Sequence, residues 1–158
     1  DNEFNPELPG AEPFPLPVRA DAAGIEQILM NLVRNASDAT RKGGEIRVVT
    51  RRAGATEVAR LTEFAAQAGG AIRLEVADSG VGMDAEVQAH LFEPFFTTKP
   101  PGEGTGLGLA SVYGIVQQCG GAIQVESAAG RGASFRVYLE RAGLAPKSFP
   151  PTRPDGAA

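Results

Sequence analysis

Gly104-Thr105-Gly106-Leu107-Gly108 sets three alternating glycines directly ahead of the helical stripe Leu109, Val112, Tyr113 and Val116. Such a junction suits phosphate. Glycine lets backbone approach an anion without a Cβ clash, and the first turn of a helix offers unpaired N–H groups and the positive end of its dipole. Two familiar phosphate loops are excluded. No Gly-Lys dipeptide occurs, so there is no Walker A lysine, and no G-x-G-x-x-G register follows an apolar strand.

Three further clusters carry chemistry. Asn31, Asn35 and Asp38 follow a four-then-three spacing and share a helical stripe apart from the Ile/Leu face. Their oxygens suit a hard cation such as Mg²⁺, which keeps several waters and takes few protein ligands; the same spacing also fits polar side chains on a solvated face. Asp78 opens Asp-Ser-Gly-Val-Gly-Met after an apolar strand. A carboxylate only accepts hydrogen bonds, so it takes one from the exocyclic amine of adenine and opposes the carbonyl of guanine. An unpaired buried acceptor costs about 1–3 kcal/mol, enough to select ATP over GTP, although a plain Asp-Ser-Gly turn reads the same. Gly80 and Gly82 permit a sharp turn close to a flat ligand, and Met83 adds an adaptable apolar surface. Finally, Phe92, Phe95 and Phe96 precede Thr97-Thr98-Lys99. Phe92 and Phe95 are expected to anchor a loop in the core, leaving 97–104 free to close over a ligand, with Lys99 the only lysine near the glycine loop.

Those residues need elements to hold them. From Asp21 as N-cap, Ile25, Ile28, Leu29, Leu32, Val33, Ala36 and Ala39 recur at helical spacing until Gly43-Gly44. Ile46/Val48/Thr50 and Ile72/Leu74/Val76 alternate as strands, and Ile123/Val125 and Phe135/Val137/Leu139 form a hairpin around 129–132. Asp84–Leu91 reads as a short helix with an acidic start. The insertion 53–70 is either a surface excursion or a short helix through Val58, Leu61, Phe64 and Ala65. The order β-α-β-β-α-loop-α-β-β predicts an α/β (α+β) two-layer sandwich: a mixed, mostly antiparallel sheet of about five strands with three helices on one face.

At 158 residues the chain is the size of one domain. Its net charge of −4, scattered Lys/Arg and sparse aromatics argue against nucleic-acid binding. A lone Cys119 allows no internal disulfide and reads as packing. Neither a signal-peptide pattern nor about 18 consecutive apolar residues occurs, which predicts a soluble, cytoplasmic piece, with a membrane anchor left open for a longer protein. Pro6, Pro9, Pro13, Pro15 and Pro17 at one end, and Pro146, Pro150, Pro151 and Pro154 at the other, block helices. The division expected is a linker at 1–15, a globular part at 16–141 and a second linker at 142–158; linkers of a longer protein and flexible native tails both fit.

Together the motifs resemble the N, G1, F and G2 boxes of the catalytic, ATP-binding domain of sensor histidine kinases, in the superfamily of gyrase B, Hsp90 and MutL. Asn-Leu-Val-Arg-Asn-Ala, Phe-Glu-Pro-Phe-Phe-Thr-Thr-Lys and Gly-Thr-Gly-Leu-Gly-Leu look most like the nitrogen-regulation and hybrid-kinase branch. The resemblance spans Asp21–Glu140 and implies the Bergerat fold, with ATP and Mg²⁺ as cofactors. It implies that Asn35 coordinates Mg²⁺, that Asn31 supports the phosphates and that Asp78 binds the adenine amine. Gly104, Thr105, Gly106, Leu107 and Gly108 would wrap the phosphates, with Asp38, Gly80, Gly82, Met83, Phe95, Thr98 and Lys99 completing the nucleotide site. Ser134 stands where the family often has a threonine that helps hold the adenine-binding aspartate. Some relatives place a basic residue three after the Mg²⁺ asparagine and an arginine just after the F-box aromatics. Here those places hold Asp38 and Thr97, so Arg34 or Lys99 is left to supply charge for the γ-phosphate, which makes Asn31, Asn35 and Lys99 the catalytic set.

Hydrolysing members of the superfamily carry a glutamate one turn before the Mg²⁺ asparagine; this chain has Asn31, and an amide is no general base. The resemblance thus implies a protein-histidine kinase domain of a two-component system. His90, the only histidine, lacks the acidic pairing of a phosphoacceptor box; the resemblance implies that the acceptor histidine lies on a dimerisation domain of the same protein, upstream of Asp1. A response regulator or receiver domain would follow downstream. The fragment itself is expected to be monomeric and the whole protein a homodimer. A non-catalytic ATP-sensing module and an anti-sigma-type serine kinase are the alternatives.

Overall fold

The computed structural model describes residues 16–61, 64 and 70–142. The linkers expected at 1–15 and beyond Ala142, and Ala65 of the insertion, lie outside the described residues. Helix α1 (Ala22–Ala39) starts where expected, with the Asp21 carboxylate accepting from the Gly24 N–H, and buries Ile28, Leu32 and Ala36. Strand β1 (Ile46–Arg52) follows, then a short helix α2 (Ala55–Val58) and β2 (Ala71–Asp78). Helix α3 (Ala85–His90) is capped by Asp84, which accepts from the Val87 N–H at 2.9 Å. Helix α4 (Gly108–Gln118), β3 (Ala122–Ser127) and β4 (Ala133–Glu140) complete the chain.

The sheet has the order β1-β2-β4-β3, and every pairing is antiparallel. This corrects the expected mixed sheet of about five strands to four. The strand expected ahead of α1 is a single bridge, Val18 to Arg141, flanked by hydrogen bonds from the Arg19 N–H to Glu140 O and from the Ala142 N–H to Pro17 O. Pro17, beside the bridge, has no N–H to donate to a longer ladder.

Helices α1 and α4 pack on one face of the sheet. Ile28 and Leu32, Val112 and Val116, and Leu74, Val76, Phe135 and Val137 form the main core. Each large apolar side chain so buried contributes about 1.5–3 kcal/mol. Cys119 packs partly against this core at the end of α4. The other face is partly covered too. Leu61 and Phe64 of the insertion bury themselves with Ala71, Ala122 and Tyr138, and Val58 of α2 packs against them. The insertion is therefore a cap on the sheet, and it adds α2 to the three expected helices.

Under that cap lies a charged network. Glu57 of α2 accepts from Arg51 at 2.9 Å, Arg73 at 2.7 Å and the Tyr138 hydroxyl at 2.8 Å. Arg73 also pairs with Glu75, which accepts from Ser134 and Arg136. Burial alone would raise the Glu57 carboxyl, but hydrogen bonds from Arg73, Tyr138 and Arg51 outweigh it and bring it down to about 2. Burial and the Glu57 hydrogen bond push the Tyr138 phenol up to about 12.

Candidate nucleotide site

A cavity of about 650 Å³ opens between α1, the end of β2, α3 and the 96–106 loop. Its size and mixed lining are those of a small-ligand pocket. One wall is the polar stripe of α1: Asn31, Arg34, Asn35 and Asp38. Asn31 and Asn35 each precede a ridge residue, Leu32 and Ala36, so this stripe runs along the edge of the buried ridge and α1 delivers it to the cavity as a set. Asp78, Gly82, Met83, Ala133 and Phe135 line the floor, and Val87 and Leu91 add an apolar side.

The turn after Asp78 is fixed from two directions. The Asp78 carboxylate accepts from the Gly80 N–H at 2.8 Å, which orients it at the end of β2. A Cβ on Gly80 would sit 2.5 Å from the Ala39 carbonyl oxygen, and one on Gly82, where φ is +66°, only 2.0 Å from that of Ala128. Both glycines are therefore dictated by backbone approach, Gly80 to the end of α1 and Gly82 to the β3–β4 turn. Ser127 completes the clamp. Its hydroxyl accepts from the Met83 N–H at 2.9 Å and donates to Gly132 O at 2.7 Å, while the Gln88 amide donates to Met83 O and Ser127 O. Ser127 and Gln88 escaped the sequence reading, because neither stands in a motif and only the fold brings both to Met83.

The roof is the loop between α3 and α4. Its two arms cross at Phe95 and Gly106, where the Phe95 N–H donates to Gly106 O at 2.9 Å. A Cβ on Gly106, itself at φ +65°, would lie 2.4 Å from the Phe95 carbonyl carbon. Between the arms, Thr97, Thr98, Lys99, Gly104 and Thr105 line the cavity. Lys99 reaches across the mouth to Asp38 and forms an ion pair with it. Helix α4 starts without a side-chain cap, leaving its first N–H groups to an anion, and Gly108 lies close to Asn31, with a Cβ there 3.6 Å from the amide oxygen.

Four expected site residues stand elsewhere. Gly80 lies behind the floor, shaping the turn without lining the cavity. Leu107 is 41% exposed beside the glycine loop. Phe95 was expected in the core, yet it is 75% exposed at φ 68°; Phe92 alone of that pair packs inward, its ring centroid 5.2 Å from Tyr113. Ser134 is on the outer face of the sheet, donating to Glu75 at 2.7 Å, because the alternation that turns Ala133 and Phe135 inward turns Ser134 outward. His90 is outside the cavity lining and pairs with Glu93 at 2.8 Å, an interaction that raises its pKa.

A two-layer sandwich in which a long helix, a sheet end and a glycine loop enclose one cavity is the build of a nucleotide-binding ATPase domain. The chain belongs to the family of histidine kinase-, DNA gyrase B-, and HSP90-like ATPases, which it matches over residues 20–143. It is similar to the sensor kinase CckA of Brucella abortus (strain 2308), 45% identical over 125 residues that make up 79% of this chain and 13% of that protein. It is also similar to the sensory histidine kinase/phosphatase NtrB of Rhodobacter capsulatus, 37% identical over 151 residues, 93% of this chain and 37% of that protein. The chain thus spans well under two thirds of these curated relatives. Among solved structures, the catalytic domain of histidine kinase ThkA is similar at a TM-score of 0.60 and 32% identity, covering 78% of this chain and 70% of that one. Full-length ShkA in complex with AMPPNP is similar at 0.63 and 33%, covering 83% and 24%. Among the described residues, no helix is long and apolar enough to cross a membrane.

Proposed function

We propose that the domain binds Mg-ATP and delivers its γ-phosphoryl group to a histidine on a separate dimerisation domain of a two-component sensor kinase. The observation that carries this reading is one cavity lined by the Asn31–Asn35–Asp38 stripe, by Asp78 and by the glycine loop. Asp78, oriented by Gly80, accepts the adenine amine at the floor. The Asn35 amide oxygen, with Asn31 one turn away on the same wall, fits the oxygen-donor chemistry of Mg²⁺, which would neutralise phosphate charge there. The uncapped start of α4 and the glycine loop take the phosphates.

Asn31 occupies the wall position one turn before Asn35, so no general base stands there to activate water. The bound γ-phosphoryl group is thereby kept for another acceptor. His90, outside the cavity lining and paired with Glu93, is not that acceptor. The work of this domain is positioning and charge stabilisation, the main requirements of phosphoryl transfer. Labelled ATP supplied with this domain and a separate dimerisation and phosphoacceptor domain should place acid-labile label on the latter's histidine. Nucleotide binding without any labelling would reduce the domain to an ATP-sensing module, and acid-stable label would make it a serine kinase.

A further inference from the structure

An aspartate lining a phosphate cavity repels the ligand unless a cation stands between them. The structure shows what Asp38 does instead. It holds Lys99, the ammonium of the roof, from the wall of α1. Lys99 is fixed at two other points. Its backbone N–H donates to the Thr97 hydroxyl at 3.1 Å, and its stem crosses Gly104, where a Cβ would meet Lys99 Cδ at 3.1 Å and Thr97 Oγ1 at 2.8 Å. The first glycine of the loop is thus bare because the lysine stem lies over it. These contacts carry the ammonium from the glycine loop to the polar wall of the cavity.

We infer that Asp38 is a positioning residue: it holds Lys99 so that the ammonium meets the terminal phosphate of ATP and thereby distinguishes ATP from ADP. An ammonium has three donors, so it can keep Asp38 and still serve a phosphate oxygen. The carboxylate also shortens the list of places a flexible four-carbon stem can occupy, which lowers the ordering cost when the phosphate arrives. The inference rests on the nucleotide reading of the cavity, but it does not require that phosphate be transferred.

The test is a binding cycle on Asp38→Asn, Lys99→Met and the double variant, each titrated with Mg-ATP and Mg-ADP. Asp38→Asn should lower the ATP-to-ADP affinity ratio about tenfold, mostly through ATP, and Asp38→Glu should restore part of it. In the Lys99→Met background the same Asp38→Asn change should do nothing further, because Asp38 acts through Lys99. An Asp38→Asn effect that persists without Lys99, an equal loss for both nucleotides, or tighter ATP binding from the removed negative charge would each overturn the assignment. Failure of the unsubstituted domain to bind either nucleotide would sink the nucleotide reading itself, an outcome separate from a domain that binds ATP and ignores Asp38. Asp38 and Lys99 are both partly exposed, so the variants should fold, and circular dichroism checks that they do.

Discussion

Residue-scale discrimination in this domain rests on short polar contacts. The Asp78 carboxylate accepts from the Gly80 N–H and lines the cavity floor. Asp78→Asn offers a donor where adenine needs an acceptor, so the preference for ATP over GTP should fall by about tenfold or more, read by competition titration. An unchanged preference would remove Asp78 from base recognition. Ser134 makes the contrasting prediction. Its hydroxyl serves Glu75 on the other side of the sheet, so Ser134→Ala should lower stability by about 1 kcal/mol in urea unfolding and leave ATP affinity alone. The sequence motifs put Asn31, Asn35, Asp38, Asp78 and most of the glycine loop on one cavity, because a helical stripe, a strand end and a loop are each local features. Family likeness pointed Ser134 inward, whereas the alternation of Phe135, Val137 and Leu139 already placed it outward; the strand's own period was the better guide.

Secondary elements repeat the lesson on a larger scale. Helix α1 with its Asp21 cap and the hairpin at 129–132 could be read directly, since each depends on local periodicity and on residues within a few positions. The cap formed by Val58, Leu61 and Phe64 could not. Its Leu61 and Phe64 find their partners in Ala71, Ala122 and Tyr138, contacts that only sheet order determines. Glu57 ties that cap down, and its titration makes the tie measurable. The folded carboxyl titrates near 2, against an ordinary value of 4.5, so its contribution is complete above pH 4.5 and is lost as the pH falls towards 2. The shift corresponds to about 2 kcal/mol once the remaining exposure of the side chain is discounted. Glu57→Gln should therefore destabilise the domain at pH 7 and lose that effect near pH 2, as followed by urea unfolding at each pH. A difference that did not shrink on acidification would mean the carboxylate charge is not what anchors α2.

For the whole molecule, the proposed function makes binding and transfer separable, because the cavity is lined by this domain alone while the proposed acceptor is a separate domain. On the proposed function, the acceptor would be met on the outside of the roof, where Phe95 and Leu107 flank the crossing of its two arms and are both exposed. Phe95 is unusual there. It is the one non-glycine residue at positive φ among those described, and holding an aromatic in that region costs about 1 kcal/mol for no packing in return. A strained and 75% exposed ring on the roof is suited to meeting the proposed acceptor domain. Phe95→Gly removes both the strain and the ring. Unfolding should then show a gain of up to about 1 kcal/mol, partly offset by the entropy of glycine, and ATP affinity should be unchanged. Phosphoryl transfer to a separate acceptor domain should nevertheless slow by about tenfold or more, which kinetics at saturating ATP would read. Full transfer by Phe95→Gly would exclude the ring from the transfer surface. Slower transfer with weaker ATP binding would instead trace the effect to the Phe95–Gly106 crossing that closes the roof.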